Sequence, residues 1–237
     1  MNLWRFIDSG ANTAEFNMAL DEDLLSSVAE RGAPAALRFY TWAPPAVSLG
    51  RFQRAEAAVD LDACRRLGIS VVRRITGGRA VLHKHELTYS IVSRAEDPIF
   101  PNDILGTYRV IARGLLAGLN RLGIPAEMVS RSCRHAALVK RHAKEPSCFS
   151  SPSWYEILVN GKKIIGSAQR RIPGAFLQHG SILIGYDADL ESMVIRGGGS
   201  GGGVTFIERE LARRVSLNEV KTAFLKGISE ALYIQFA

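Results

Sequence analysis

Cysteine is scarce in this 237-residue chain: there are three, at positions 64, 133 and 148. An odd number without a Cys-x-x-Cys spacing argues against a disulfide framework and a zinc ribbon, and for a reduced, cytosolic protein. No apolar run approaches the ~18 residues of a membrane span. The opening MNLWRFIDSGANTAEF lacks a basic segment leading into a long apolar one, so no secretory leader is expected. Internal repeats are absent. The one low-complexity segment, Gly197 to Gly203, reads as a flexible linker or surface loop, since no lysine follows it to suit a phosphate cradle.

What the chain has in excess is positive charge, 30 Lys and Arg against 23 Asp and Glu, for a net +7. This favours an acidic partner. The densest basic stretch, Arg131 to Lys144, carries no interleaved aromatics and reads as a solvated face, not as a nucleic-acid site.

Periodicity and turn chemistry give the elements. Asn12-Thr-Ala-Glu15 reads as a capping box with Glu15 at the third helical position, and Phe16, Leu20, Leu24 and Val28 as the buried stripe, stopped by Gly32 and Pro34. Short strands are expected over 37–40 and 46–49, a helix over 61–67, strands over 69–75, 80–83 and 86–92, and an amphipathic helix over 103–122. Asn160-Gly161 is a strong hairpin signal between strands 154–159 and 163–169. A strand over 176–184 follows, and Ser216 caps a last helix with Val220, Phe224, Ile228 and Leu232 on one side. The pattern is α/β of the α+β kind: mixed, largely antiparallel sheets with packed helices. A single domain is expected over 1–237, with a flexible loop at 197–203 and residues 204–237 as a small helical appendage.

Two glycine- and arginine-bearing clusters stand out: Ser48-Leu-Gly-Arg-Phe-Gln53 and Arg73-Arg-Ile-Thr-Gly-Gly-Arg-Ala-Val-Leu-His83. In the second, Gly77 and Gly78 permit close approach of backbone to a ligand, and Arg73, Arg74 and Arg79 are candidate anion binders; read alone, it is a hairpin turn with surface arginines. A third stretch, Cys148-Phe-Ser-Ser-Pro-Ser-Trp-Tyr-Glu156, sets a cysteine in a Pro/Ser-rich loop ahead of Lys162 and Lys163. By strand alternation Lys163 faces away from Lys162, which should be solvated; taken alone, Lys163 is an edge-strand charge and Cys148 a small buried hydrophobe.

Together Arg73–His83, Glu86-Leu-Thr-Tyr-Ser-Ile91, Lys163–Arg171, Gln178-His-Gly-Ser-Ile-Leu-Ile184 and the helix from Asn17 resemble the lipoate–protein ligase and octanoyltransferase superfamily. The Cys148 stretch is most similar to its LipM-type octanoyltransferases. The resemblance implies the biotin/lipoate ligase catalytic-domain fold. It implies an acyltransferase that moves octanoyl from acyl carrier protein, through a Cys148 thioester, to a lysine of a lipoyl domain. Such domains belong to the glycine cleavage H protein and the 2-oxoacid dehydrogenase E2 subunits. Lys163 matches the family lysine in Lys-[Ile/Val]-x-Gly-x-Ala. An ammonium within ~4–6 Å would lower a thiol pKa by roughly 1–3 units, raising the thiolate that attacks. Arg73, Arg74, Gly77, Gly78, His83, Gly166, Ser167, Ala168 and His179 become the expected substrate-binding residues, although lone histidines more often hold structure. No ATP, cofactor, metal, membrane or nucleic acid is expected, and a monomer is. An ATP-dependent lipoate–protein ligase, an amidotransferase between lipoyl-domain proteins and a non-enzymatic basic binding protein are the alternatives. The first usually has a third glycine where Arg79 stands. Lys84 also departs from the family, where aspartate is common after the motif histidine.

Overall fold

The computed structural model describes residues 2–129, 156–199 and 202–237. Cys133 and Cys148 lie outside these, as do Trp154 and Tyr155 of the expected strand.

Eleven strands form two sheets among the described residues. The larger is built on β1 (Asn2–Asn12), β2 (Ala36–Trp42), β6 (Glu86–Arg94), β7 (Glu127–Met128), β8 (Ile157–Val159), β9 (Lys162–Ile172), β10 (Ala175–Leu183) and β11 (Ile234–Phe236), in the order β11-β1-β2-β6-β10-β9-β8-β7. The β11–β1–β2 edge is parallel and the other pairs antiparallel, as expected for a mixed, largely antiparallel sheet. The smaller sheet orders β3 (Ala46–Leu49), β4 (Ser70–Arg73) and β5 (Val81–His83) as β4-β3-β5.

The Arg73–His83 segment is therefore not a hairpin. β3 lies between β4 and β5, parallel to the former and antiparallel to the latter. A parallel pair needs a crossover, which α2 (Ala55–Ala58) and α3 (Leu61–Arg66) supply between β3 and β4. The glycine turn thus joins strands on opposite sides of β3 and loops over the larger sheet.

Helix α4 (Ile104–Arg121) and helix α7 (Leu217–Leu232) cross on one face of the larger sheet, where Leu37, Leu87, Tyr89, Ile91, Ile111, Leu115, Phe176 and Phe224 form the main core. The Ser216 cap and the Val220–Phe224–Ile228–Leu232 stripe are found as expected. They do not form an appendage. The stripe buries on α4, and β11 then adds to β1, so the C-terminal segment closes the core. Two short helices, α5 (Ala188–Val194) and α6 (Ile207–Leu211), precede it.

Helix α1 (Ala14–Arg31) covers the other face, with Leu24, Leu25 and Val28 against Val92, Ala175 and Leu177. Its cap is Thr13, not Asn12, and Phe16 is exposed. The expected stripe is one residue out of register at its start because the buried face there is polar: Asn17 and Asp21 point inward to Arg38, which is itself fully buried.

Candidate active site

Between the two sheets lies a cavity of about 350 Å3, within the range that encloses a small ligand. Its floor is the polar face of the central strands. Alternation along β6 sends Leu87, Tyr89 and Ile91 into the core and Glu86, Thr88 and Ser90 the other way, yet those three are buried too. Across the register Thr88 meets Ser181, and Gly180 and Ser167 face each other on β10 and β9. A Cβ at Gly180 would stand 2.4 Å from the Gly166 carbonyl, so glycine there keeps the strands flush beneath the cavity. Met18, Tyr40, Trp42 and Val81 give apolar wall, and Gly77, Gly78 and Arg79 the rim. Of the expected residues, Arg74, Gly77, Gly78, His83, Gly166, Ser167, Ala168 and His179 line this one space.

Arg73 does not line it. Its side chain is directed to the carbonyls of Gly50, Arg51 and Gln53 at 2.8–3.0 Å, on the outer side of β4. Its neighbour Arg74 points inward by strand alternation and donates to the carbonyls of Ser48, Gly77 and Arg79 and to Ser48 Oγ. Both arginines thus brace backbone rather than standing open for an anion. Gly50 lets the two loops touch: a Cβ there would fall 1.9 Å from the Gly78 carbonyl.

Two histidines face the cavity, each backed by a carboxylate. His179 Nδ1 is 2.9 Å from Asp21 Oδ2 and its Nε2 is 2.7 Å from Thr76 Oγ1. Asp21 also takes a bond from Arg38 at 2.8 Å and from Tyr40 at 3.0 Å. Burial pushes the Asp21 carboxyl up, but the His179 ring and Arg38 outweigh it and leave it below its ordinary value. Tyr40 is raised well above its ordinary value by burial and by the Asp21 charge. His83 Nδ1 is 2.8 Å from Glu86 Oε1 and its Nε2 2.7 Å from Ser48 Oγ. Trp42 stacks on the His83 ring at 3.9 Å between centroids. On the core side of the same strands, burial lifts Tyr89 to about 12, partly offset by bonds to Gln178 and Ser167. Sequence reasoning missed Ser48 as a partner of His83, and Asp21 and Glu86 altogether; only the Ser48–Gln53 cluster and the motif histidines hinted at them.

Lys163 sits below the cavity on β9, its side chain fully buried, while Lys162 is exposed. It is not an edge-strand charge. Val204 pairs alongside it, with Lys163 N–H donating to the Gly203 carbonyl. Its Nζ donates to Glu156 Oε1 at 2.5 Å, and Glu156 reaches the cavity wall. The expected Cys148–Lys163 contact lies outside the described residues. Cys64 packs inside α3 at 1% exposure, with its thiol raised by burial and by Asp60. Lys84 pairs with Asp187 at 2.7 Å, so this departure has a local partner.

The chain is 40% identical to octanoyltransferase LipM of Anoxybacillus flavithermus, over 98% of this chain and 87% of that one. It is 41% identical, with the same coverage, to octanoyltransferase LipM of Geobacillus kaustophilus. Among solved structures, lipoate-protein ligase A bound with ATP superposes with a TM-score of 0.77 at 27% identity, covering 100% of this chain and 87% of that one. A bi-partite lipoate protein ligase from Thermoplasma acidophilum gives 0.76 at 26%, covering 100% and 86%. The family model described as the lipoyl protein ligase A/B catalytic domain matches residues 13–229, and the cavity is walled by the motifs that first suggested such a relationship. With nearly all of the chain matched, it belongs to the lipoyl protein ligase A/B catalytic domain family.

Proposed function

We propose that the protein is an octanoyltransferase of lipoate biosynthesis, carrying octanoyl from acyl carrier protein to a lysine of a lipoyl domain. The observation that carries this reading is the near-full-length similarity to octanoyltransferases LipM. The cavity supports it: it is of ligand size and has an apolar wall for an acyl chain and a glycine rim for the pantetheine arm. Cys148 attacks the donor thioester, the carrier's thiol leaves, and the acceptor amine then displaces octanoyl from Cys148 as an amide. Lys163 favours the Cys148 thiolate. Glu156, bound to that lysine, tempers the effect, so the thiol is lowered less than a lone ammonium would lower it. The reaction needs no ATP, because the donor thioester is already activated, and it takes place in the cytoplasm on a monomer.

The test is the intact mass of the protein after mixing with octanoyl-carrier protein without ATP. One octanoyl group should be added, removable by hydroxylamine and absent in Cys148→Ser. Labelling of Cys64 or Cys133 instead would sink the Cys148 assignment, and a strict requirement for ATP with free lipoate or octanoate would replace this reading with the ligase one, which the ATP-bound structural neighbour keeps in view.

A further inference from the structure

The same cavity holds a second nucleophile arrangement that the transfer reaction does not use. Glu86 Oε1, at the start of β6, accepts from Thr88 Oγ1 and Ser181 Oγ, and His83 Nδ1 faces that same acceptor at 2.8 Å as the donor. His83 Nε2 is then an acceptor, and Ser48 Oγ donates to it at 2.7 Å. Ser48 and His83 both line the cavity, with Glu86 behind them at 4% exposure. The ring cannot turn freely: Trp42 stacks on it and donates to Thr88 Oγ1, which in turn donates to Glu86 Oε1, as does Ser181 Oγ. Hydroxyl, imidazole and carboxylate stand in the order and at the distances of a serine acyl-transfer triad, which is recognised by geometry and roles, not by position in a chain.

The other histidine is the internal control. Asp21–His179–Thr76 has the same bonding order and Thr76 and Ser48 are both almost fully buried, but Ser48 lines the cavity and Thr76 does not, and Arg38 already balances Asp21. Among the described residues Glu86 has no Arg or Lys bonded to it, and its Oε2 is buried without a hydrogen-bond partner. A carboxylate hydrogen-bonded to the far nitrogen holds the ring in place, and in an acyl-transfer triad it stands beside the positive charge that forms there. That charge forms when His83 takes the Ser48 proton.

We propose that Ser48, His83 and Glu86 form a catalytic triad that hydrolyses medium-chain acyl thioesters and esters in this cavity, independently of Cys148. Ser48 Oγ attacks the carbonyl carbon and its proton passes to His83 Nε2. The carbonyl pair moves to oxygen, while Arg74, which donates to Ser48 Oγ at 3.0 Å, keeps that serine oxygen in place. Collapse breaks the C–S bond, and His83 returns the proton to the departing thiolate, leaving octanoyl as an ester on Ser48. Water attacks that ester and gives its proton to His83. The C–Oγ bond breaks and Ser48 regains the proton, so the sum is thioester plus water to acid plus thiol.

The test is made in the Cys148→Ala protein with p-nitrophenyl octanoate and with the octanoyl thioester of N-acetylcysteamine. Steady release of p-nitrophenol and of thiol is expected, and adding Ser48→Ala should lower it about 100-fold or more. Glu86→Gln should lower it while leaving the apparent affinity for substrate unchanged. Without any variant, a fluorophosphonate probe should add one mass to the wild-type protein, mapped to the peptide containing Ser48 and blocked by octanoyl substrate. No hydrolysis in Cys148→Ala, equal rates with and without Ser48, or a probe that leaves Ser48 unlabelled would each overturn the proposal. Octanoyl transfer to a lipoyl domain is scored separately in the wild type, so loss of one activity does not imply loss of the other.

Discussion

At the scale of single residues, buried charges decide most of what this site does. Lys163 and Glu156 are a contact pair with almost no solvent access. Removing one partner of such a buried pair typically costs about 3–5 kcal/mol. Lys163→Ala should therefore destabilise the fold as well as slow acylation, whereas Lys162→Ala, on the exposed face, should do neither. The proposed tuning of Cys148 gives opposite signs for the pair. In the pH dependence of iodoacetamide alkylation, Lys163→Ala should raise the apparent Cys148 pKa and Glu156→Gln should lower it; overlaid profiles would remove the pair from the mechanism. Asp21 makes a second prediction. Its folded pKa is depressed, so its contribution to stability is complete above the unfolded value of about 3.9 and is lost as pH falls through the folded one. Asp21→Asn should be less stable at neutral pH, since Arg38 is left unbalanced. Its urea midpoint should also fall less steeply below about pH 4 than that of the wild type. A parallel decline in both proteins would assign the acid sensitivity elsewhere.

At the scale of elements, the α4–α7 crossing sets a tight constraint. A Cβ at Gly227 would lie 2.4 Å from Gly118 N, and one at Gly118 2.6 Å from the Phe224 ring. The first obstacle is backbone, which cannot swing aside. Gly227→Ala should cost about 1–3 kcal/mol by overpacking, despite a helix-propensity gain of roughly 1 kcal/mol. Gly114→Ala, whose nearest neighbours stand at 3.1 Å, should cost less. Thermal midpoints of the two variants check the order. These helices were legible in the sequence, because stripe and cap are local patterns, and so was the hairpin at Asn160-Gly161, where both residues have positive φ. β1 and β11 were not, since they pair in parallel across more than two hundred residues and leave no local trace. The alternation Glu86-Leu-Thr-Tyr-Ser-Ile reads as one wet face and one dry face, but the polar face is roofed by the smaller sheet and becomes the cavity floor. The same limit applies to the site. The glycines and Arg74 form one motif and can be read together. Ser48 meets His83 across 35 residues and Asp21 meets His179 across 158, so only the fold joins them.

For the whole molecule, the net +7 and its placement bear on how a protein substrate arrives. Arg51, Arg54 and Arg73 are exposed around the turn that leads from β3 into α2, and no ion pair joins any of them to a described acid. That turn packs on the Gly77–Gly78 rim of the cavity, with Arg51 N–H bonded to the Thr76 carbonyl. Phe52, at 85% exposure, projects from the same turn. An acidic carrier approaching the rim would meet this charge within a Debye length of about 8 Å at physiological ionic strength. Raising salt should thus slow octanoyl transfer mainly through kcat/KM for the carrier, leaving kcat nearly unchanged, because steering acts on encounter and not on the chemical step. Arg51→Glu with Arg54→Glu should lower kcat/KM at low salt and flatten its salt dependence. Hydrolysis of uncharged p-nitrophenyl octanoate by the same variant should not change, since that ester needs no docking. If the charge-reversed protein keeps the wild-type salt dependence with the carrier, the positive charge that steers it lies on another face.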